Sequence, residues 1–477
     1  MRSLRLALAP SLLLAVTLAA AAATPRTAHA AGLYFSDRGV RPMGRAGAFV
    51  AGADDLGAIW YNPAGLADAG TSVLMDFAYL RFSVDYTRQL QVIDAQGNYQ
   101  RFDSPTVHGG TPFLPLPTIA ASYAFGPNKE WTLAGGVMAP YIALTAYPPT
   151  VDGQPSPARY AMGSYNGSIA AMPGVWLAYK PVEALRIGIG AMAFVGKFQS
   201  TITFNANPQD RLLGAPEEPQ YDAAAQLDIS PIFAPTASAG FTLVPSKYVR
   251  IGGSGQLPMI ISAPANITMA MPTSVVFDGA SQDGTSAHVR FVLPAIARAG
   301  IEVRPSDEVR VELAYVRELW SSQQSIDITP INMNLDGIAG MPPQVKIPPI
   351  SMPRGFTDTS SYRLGGEFTY DFLGYKVTAR GGVSYETSAV PPAYLNLSAL
   401  DFNKWVAAIG GSIYVGPHWR FDATYAHTFA QTVYVDPNIA KIPRINPIDG
   451  NAPFEPVNGG TYSASADLFG VGFNYLF

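Results

Sequence analysis

The sequence predicts an all-β fold, a fourteen-stranded antiparallel transmembrane β-barrel. Three observations carry that expectation. Charged residues make up 14% of the 477, while glycine and proline number 45 and 41; an average soluble domain is about 25% charged. Apolar side chains recur on every second position in several stretches, the period of a strand. The connections alternate between tight and long, the pattern of a barrel whose short turns face one side of a membrane and whose long loops face the other.

The N-terminus sets the compartment. Arg2 and Arg5 precede an apolar run from Leu6 to Ala23, and Ala28-His29-Ala30 supplies small residues at the two positions a signal peptidase reads. Residues 1–30 are therefore expected to be a cleaved signal peptide, and the chain to be exported to a Gram-negative type of outer membrane. No later segment suits a membrane helix. The long uncharged stretch from Ile251 to Phe277 holds Pro258, Pro264 and Pro272, each of which breaks a helix.

Alternation places Val289, Phe291, Leu293, Ala295, Ala297, Ala299, Ile301 and Val303 on one face, opposite Arg290, Arg298, Glu302 and Arg304. Tyr362, Leu364, Gly366, Phe368, Tyr370 and Phe372 alternate in the same way with Arg363, Glu367 and Asp371. Such strands are greasy outside and polar inside. Tight turns are expected at 126–129, 180–183, 245–246, 305–306, 373–374 and 416–417, with long connections near 88–112, 145–164, 205–230, 262–286, 321–359, 387–403 and 430–460. Thirteen connections imply fourteen strands. At the end of the chain, Phe469, Val471, Phe473, Tyr475 and Phe477 form the alternating pattern of a closing, lipid-facing strand.

Composition excludes several functions. A net charge of −4 offers no basic footprint for nucleic acid, and the absence of cysteine removes disulfides and thiolate chemistry. The histidines His108, His288, His418 and His427 show no metal-ligand pairing, no Gly-x-Ser-x-Gly elbow occurs, and Gly252-Gly253-Ser254-Gly255 lacks the setting of a phosphate loop. No enzyme, cofactor or metal is expected. No charged residue falls from Trp131 to Val151, from Tyr160 to Tyr179 or from Val406 to Pro417, so these strands are apolar or small on both faces. A polar-lumen porin would not be built that way. An adhesin or receptor barrel using the long proline-rich loops is the alternative of another class.

Residues 31–70 do not alternate. They run through Gly44-Arg45-Ala46-Gly47-Ala48, the acidic pair Asp54-Asp55 and Asn62-Pro63-Ala64-Gly65-Leu66. Further on come Tyr315-Val316-Arg317-Glu318-Leu319-Trp320-Ser321, Asp358-Thr359-Ser360-Ser361-Tyr362-Arg363, Pro391-Pro392 and the final Phe473-Asn474-Tyr475-Leu476-Phe477. Together these resemble the FadL/TodX-type outer-membrane transporters of long-chain fatty acids and other hydrophobic molecules. The resemblance implies a hatch over 31–70 plugging the lumen of a barrel over 71–477. It also implies ligand entry from outside and sideways exit into outer-membrane lipid through a kink in the third strand.

On that reading Gly135, Gly136 and Pro140 form the lateral-gate kink, and Asn62, Pro63 and Ala64 fix the adjoining hatch backbone. Leu33, where the family typically carries Phe, and Phe35 are candidate ligand contacts at the hatch tip. Lys197 falls where the family carries a ligand-contacting basic residue, although its parity with Ile187, Ile189 and Val195 points it toward lipid unless a bulge at Gly196 reverses it. Arg363 is the second candidate. The expected partners are hydrophobic small molecules, long-chain fatty acids first and monoaromatic hydrocarbons as the alternative, and the expected state is a monomer.

Overall fold

The structure, a computed structural model, describes residues 37–93, 96–111, 115–139, 145–165, 168–210, 217–449 and 452–477. Fourteen antiparallel strands form one barrel. They are β1 (Ser72–Ile93), β2 (Pro115–Phe125), β3 (Trp131–Met138), β4 (Ile169–Val182), β5 (Leu185–Asn205), β6 (Asp222–Ser246) and β7 (Val249–Gln256 continued by Met259–Ala270). The second half comprises β8 (Ser286–Leu293 continued by Ile296–Val303), β9 (Val309–Glu318), β10 (Thr359–Phe372), β11 (Tyr375–Glu386), β12 (Lys404–Val415), β13 (Trp419–Val435) and β14 (Gly460–Leu476). Pairing of β1 with β14, from Ser72 opposite Leu476 to Arg88 opposite Gly460, closes the wall into a barrel.

All six tight turns fall where alternation places them. Three of the long loops begin later than expected, after Ile93, Ala270 and Val435, because the strands rise beyond the membrane: β6 has 25 residues where about 9–11 suffice to span a bilayer. Outward positions carry the apolar surface, with Phe469 and Val471 exposed on β14 and Leu468 and Gly470, which alternate with them, buried. Near the tight turns aromatic rings gather into a girdle. Trp131 stacks on Tyr179 at 4.1 Å, and Trp419 meets Tyr475 at 4.6 Å, as at a membrane interface.

One expectation needs correction. The alternation read as continuous from Val289 to Val303 changes face in the middle: Val289 and Leu293 point inward, whereas Ile301 and Val303 are exposed and Arg298 and Glu302 are buried. The interruption is Pro294-Ala295, between the two segments of β8. Its neighbour β7 changes face at the same height, at Leu257-Pro258, so Gln256 opposite Ile296 and Met259 opposite Leu293 keep one register.

Residues 37–69 lie inside the barrel as two short helices, α1 (Val40–Met43) and α2 (Ala58–Tyr61), and a 3-10 turn over Pro63–Asp68. Nearly every one of these residues is buried. So compact a plug fits because the wall is glycine at the contact points. A Cβ on Gly365 or Gly382 would overlap the Arg45 backbone, one on Gly252 would stand 2.7 Å from Ala51 Cα, and one on Gly188 would overlap Pro63.

Candidate functional site

The hatch is held by charge. Arg41 reaches Asp54 at 2.7 Å, Asp55 at 2.9 Å and Glu367 of β10 at 2.8 Å. Arg45 lies between Glu302 (3.0 Å) and Glu312 (3.2 Å). The Glu312 carboxylate accepts the backbone N–H groups of Val50, Ala51 and Gly52 at 2.6, 2.9 and 2.9 Å. Arg310 and Arg420 reach Asp54 and Asp55, each at 2.8 Å, and Arg250 reaches Asp68 at 2.7 Å. Each charge has partners because a buried charge without one costs several kcal/mol. Burial by itself would raise the Asp54 carboxyl, but Arg310, Arg41, Arg250 and Arg304 overcome it and hold it far below the usual range. Asp55 is lowered against the same penalty by Arg41 and Arg420.

Thus most inward charges of the wall surround the hatch. Arg298 does so differently, placing its guanidinium over the Trp60 ring at 5.0 Å. Asp371 and Lys376 do not take part; they are exposed at the β10–β11 turn.

Above the ionic layer the interior is apolar. One continuous cluster joins Phe49, Leu56, Ile59, Trp60 and Leu66 of the hatch to Met138, Trp176, Met192, Phe194 and Ile232 of the wall. It continues to Trp320, Phe356, Leu395 and Leu397 near the long loops. Toward the loops a small cavity is lined wholly by apolar residues, among them Ile202, Phe204, Leu227, Ile267 and Ile328. An acyl chain or aromatic ring could follow this path without meeting an unpaired charge until the loops.

Asn62 caps the 3-10 turn, its Oδ1 accepting the Ala64 N–H at 3.2 Å. Its amide donates to the carbonyls of Val50 (2.9 Å) and Phe241 (3.0 Å) and to Thr242 Oγ1 (3.1 Å). Asn62, Pro63 and Ala64 therefore rest on β5 and β6, not on the third strand. The ladder runs unbroken through the glycine pair of β3: Gly135 faces Ala121 and Val175, Gly136 faces Ala120 and Gly174. No bulge interrupts the pairing at those two residues. Pairing with β2 ends at Met138 and Ala139, and the hatch meets that end where Arg38 Nε donates to the Ala139 carbonyl at 2.9 Å. Pro140, Leu33 and Phe35 lie outside the described residues.

Lys197 is exposed on the outer face, paired with Ile169, which is also exposed. A bulge does occur beside it, but on the other strand: Gly196 faces Ile232 and Phe198 faces Ile229, so Ser230 and Pro231 of β6 together oppose Lys197. The extra residue changes the face of β6, not of β5. Lys197 therefore stays outside, some twelve residues above the tight turn, where about 3.3 Å per residue puts it near the outer interface. Arg363 does point inward, but it is buried and paired with Asp37 and, at 3.6 Å, with Glu386. It holds the start of the hatch.

The residue that sequence reasoning missed is Arg354, between Pro353 and Gly355 near the start of β10. Its side chain is buried, its Nε has no hydrogen-bond partner, and no carboxylate pairs with it among the described residues. Burial lowers its pKa and only the Tyr165 hydroxyl offsets this. Tyr165 in turn lies 5.3 Å from the Phe198 ring, at the edge of the apolar cluster. Arg88, Arg159 and Arg444, at the same end of the barrel, each have a carboxylate within 3.0 Å. The available signal was modest: Arg354 is the lone arginine between Arg317 and Arg363.

The family model for outer membrane transport proteins of the OMPP1/FadL/TodX type matches residues 20–477. Among solved structures, a Pseudomonas aeruginosa FadL homologue superposes with a TM-score of 0.69 at 16% identity, covering 93% of this chain and 99% of that one. The Ralstonia pickettii toluene transporter TbuX gives 0.58 at 17%, and the P. putida toluene transporter TodX 0.58 at 13%, each with 93% and 99% coverage. No curated protein matches the sequence.

Proposed function

The chain belongs to the OMPP1/FadL/TodX family of outer membrane transport proteins, and from that premise we propose that it takes up long-chain fatty acids or similar hydrophobic molecules by diffusion through the hatch-gated lumen. Arg354 is the observation that carries the fatty-acid reading. A buried guanidinium without a carboxylate is costly, and a ligand carboxylate at the top of the apolar path supplies the missing partner. The acyl chain then follows the apolar cluster; about 15 methylenes at about 0.8 kcal/mol each contribute roughly 12 kcal/mol. Passing that chain into periplasmic water would forfeit the gain, whereas sideways exit into lipid keeps it. The third strand, above Ala139 where its pairing with β2 ends, remains the exit that the family resemblance implies.

Monoaromatic hydrocarbons are the second reading. The apolar cluster that lines the lumen favours it, since an unsubstituted ring needs no polar partner.

The two readings separate at one residue. Arg354→Met should weaken binding of a labelled fatty acid about tenfold to a hundredfold, the loss of a charge-assisted hydrogen bond, and leave toluene uptake unchanged; Arg354→Lys should restore part of the loss. Unchanged fatty-acid binding in Arg354→Met would sink the carboxylate reading.

A further inference from the structure

The wall has an unpaired window between β6 and β7. Their ladder runs from the tight turn up to Ser238 opposite Gln256, with one more bond from the Leu257 N–H to the Ala237 carbonyl at 2.9 Å. It resumes only at Ile229 opposite Ala265. Over the same stretch β6 stays paired with β5 from Ile232 onward, and β7 with β8 from Met259 to Asn266. The neighbouring ladders are intact, so the break belongs to this seam alone.

Its cause lies in the side-chain phase. β7 changes face at Leu257-Pro258, matched by β8, whereas β6 changes face higher up, at Ser230-Pro231. Between these heights the strands are out of step. Ile232 and Ala234 are buried, yet extending the register sets them opposite Ser262 and Ile260, which are exposed. Two strands presenting opposite faces at one height cannot share a regular ladder. Pro231, Pro235, Pro258 and Pro264 remove donors from the same stretch. At its foot Thr236 Oγ1 donates to the Leu257 carbonyl at 2.7 Å.

The window lies between two apolar surroundings. Inside are Ile232, Ala234, Met259, Ile261 and Ala263 of the apolar cluster; outside are Phe233 and Ile260. On the outer surface a depression of about 800 Å³ meets its foot at Ala237 and Leu257. The hatch is anchored directly below, where Asn62 holds the Phe241 carbonyl and Ser254 Oγ donates to the Tyr61 carbonyl at 2.5 Å. Outward polar residues, Asp228 on β6 and Arg290 on β8, begin at its upper rim. The window thus opens within the outer-leaflet part of the apolar band.

We propose that this β6–β7 window is a lateral portal, distinct from the third strand, through which an apolar molecule passes between the lumen above the hatch and the hydrocarbon of the outer leaflet. The proposal rests on the uptake reading for its cargo, but the opening itself is tested without transport. The chain has no cysteine, so single labels are clean. A bimane on Ile261→Cys, or on Ala263→Cys if the first variant does not show the heat-modifiable mobility of a folded barrel, is reconstituted with brominated phosphatidylcholine. Quenching should approach that of the outward Ile260→Cys and exceed severalfold that of Val316→Cys, an inward residue behind intact ladders. Quenching no greater than at Val316 would overturn the portal, whatever the protein transports.

A second arm closes the seam. Oxidising Phe233→Cys/Ile260→Cys should lower uptake of labelled oleate or toluene severalfold and reversibly, while Ile409→Cys/Tyr425→Cys, facing each other in the β12–β13 ladder, should not. Undiminished uptake with the window cross-linked overturns its role in passage. If wild-type cells take up neither compound, the uptake reading fails and the quenching arm still decides the portal.

Discussion

Arg45 and Glu312 lie 3.2 Å apart with neither side chain reaching solvent. Arg45 comes from the hatch and Glu312 from β9, so this pair, with the three backbone N–H groups that Glu312 also accepts, joins plug to wall at the centre of the ionic layer. Glu312→Ala removes both contacts and leaves Arg45 with Glu302 and, at 3.9 Å, Glu367. Breaking a buried pair costs about 3–5 kcal/mol, which should fall on the hatch and not on the closed ladder. The barrel should keep its heat-modifiable mobility while single-channel conductance in planar bilayers rises.

Glycines of the wall divide by what lies behind them. A Cβ on Gly365 would overlap the Arg45 carbonyl and approach Ala48 Cβ to 3.1 Å, whereas one on Gly135 meets nothing within 4 Å. Gly365→Val should therefore unseat the hatch, at an overpacking cost of about 1–3 kcal/mol, and raise conductance. Gly135→Val should change neither conductance nor fatty-acid uptake, because the β3 ladder is already regular there.

Acid should loosen the hatch. Asp54 and Asp55 are held below the ordinary aspartate value of 3.8, so the stability they contribute is fully present above that pH and is lost as pH falls through their depressed folded values. Conductance should stay low from neutral pH down to about 4 and rise on further acidification. Asp54→Asn should raise it already at neutral pH, leaving Arg310 and Arg41 without that carboxylate.

Lys197→Met replaces an outward, exposed cation with an apolar side chain at the edge of the lipid band. Binding of labelled fatty acid should be unchanged, within the error of a titration. A tenfold loss in this variant, with Arg354→Met unaffected, would transfer the head-group role to Lys197.

Much of this was legible in the chain alone. Turn residues and period-two alternation specify the strand count, the six tight turns and the lipid-facing rows, because each depends on local backbone chemistry and on which side chains hydrocarbon will accept. The polar rows opposite those apolar ones, with Glu302, Arg304, Arg363 and Glu367, also held much of the wall's contribution to the ionic layer. Tertiary structure decided three other matters. Changes of face at 230–231, 257–258 and 294–295 could not be placed from one strand, since a bulge is a relation between neighbours: the one beside Lys197 belongs to β6 and leaves Lys197 outside. The β6–β7 window exists because two such changes fall at different heights, which only the register reveals. Arg354 stands apart from Arg363 for a similar reason: sequence names the cation, but whether a carboxylate reaches it depends on segments far apart in the chain that meet only when the barrel closes.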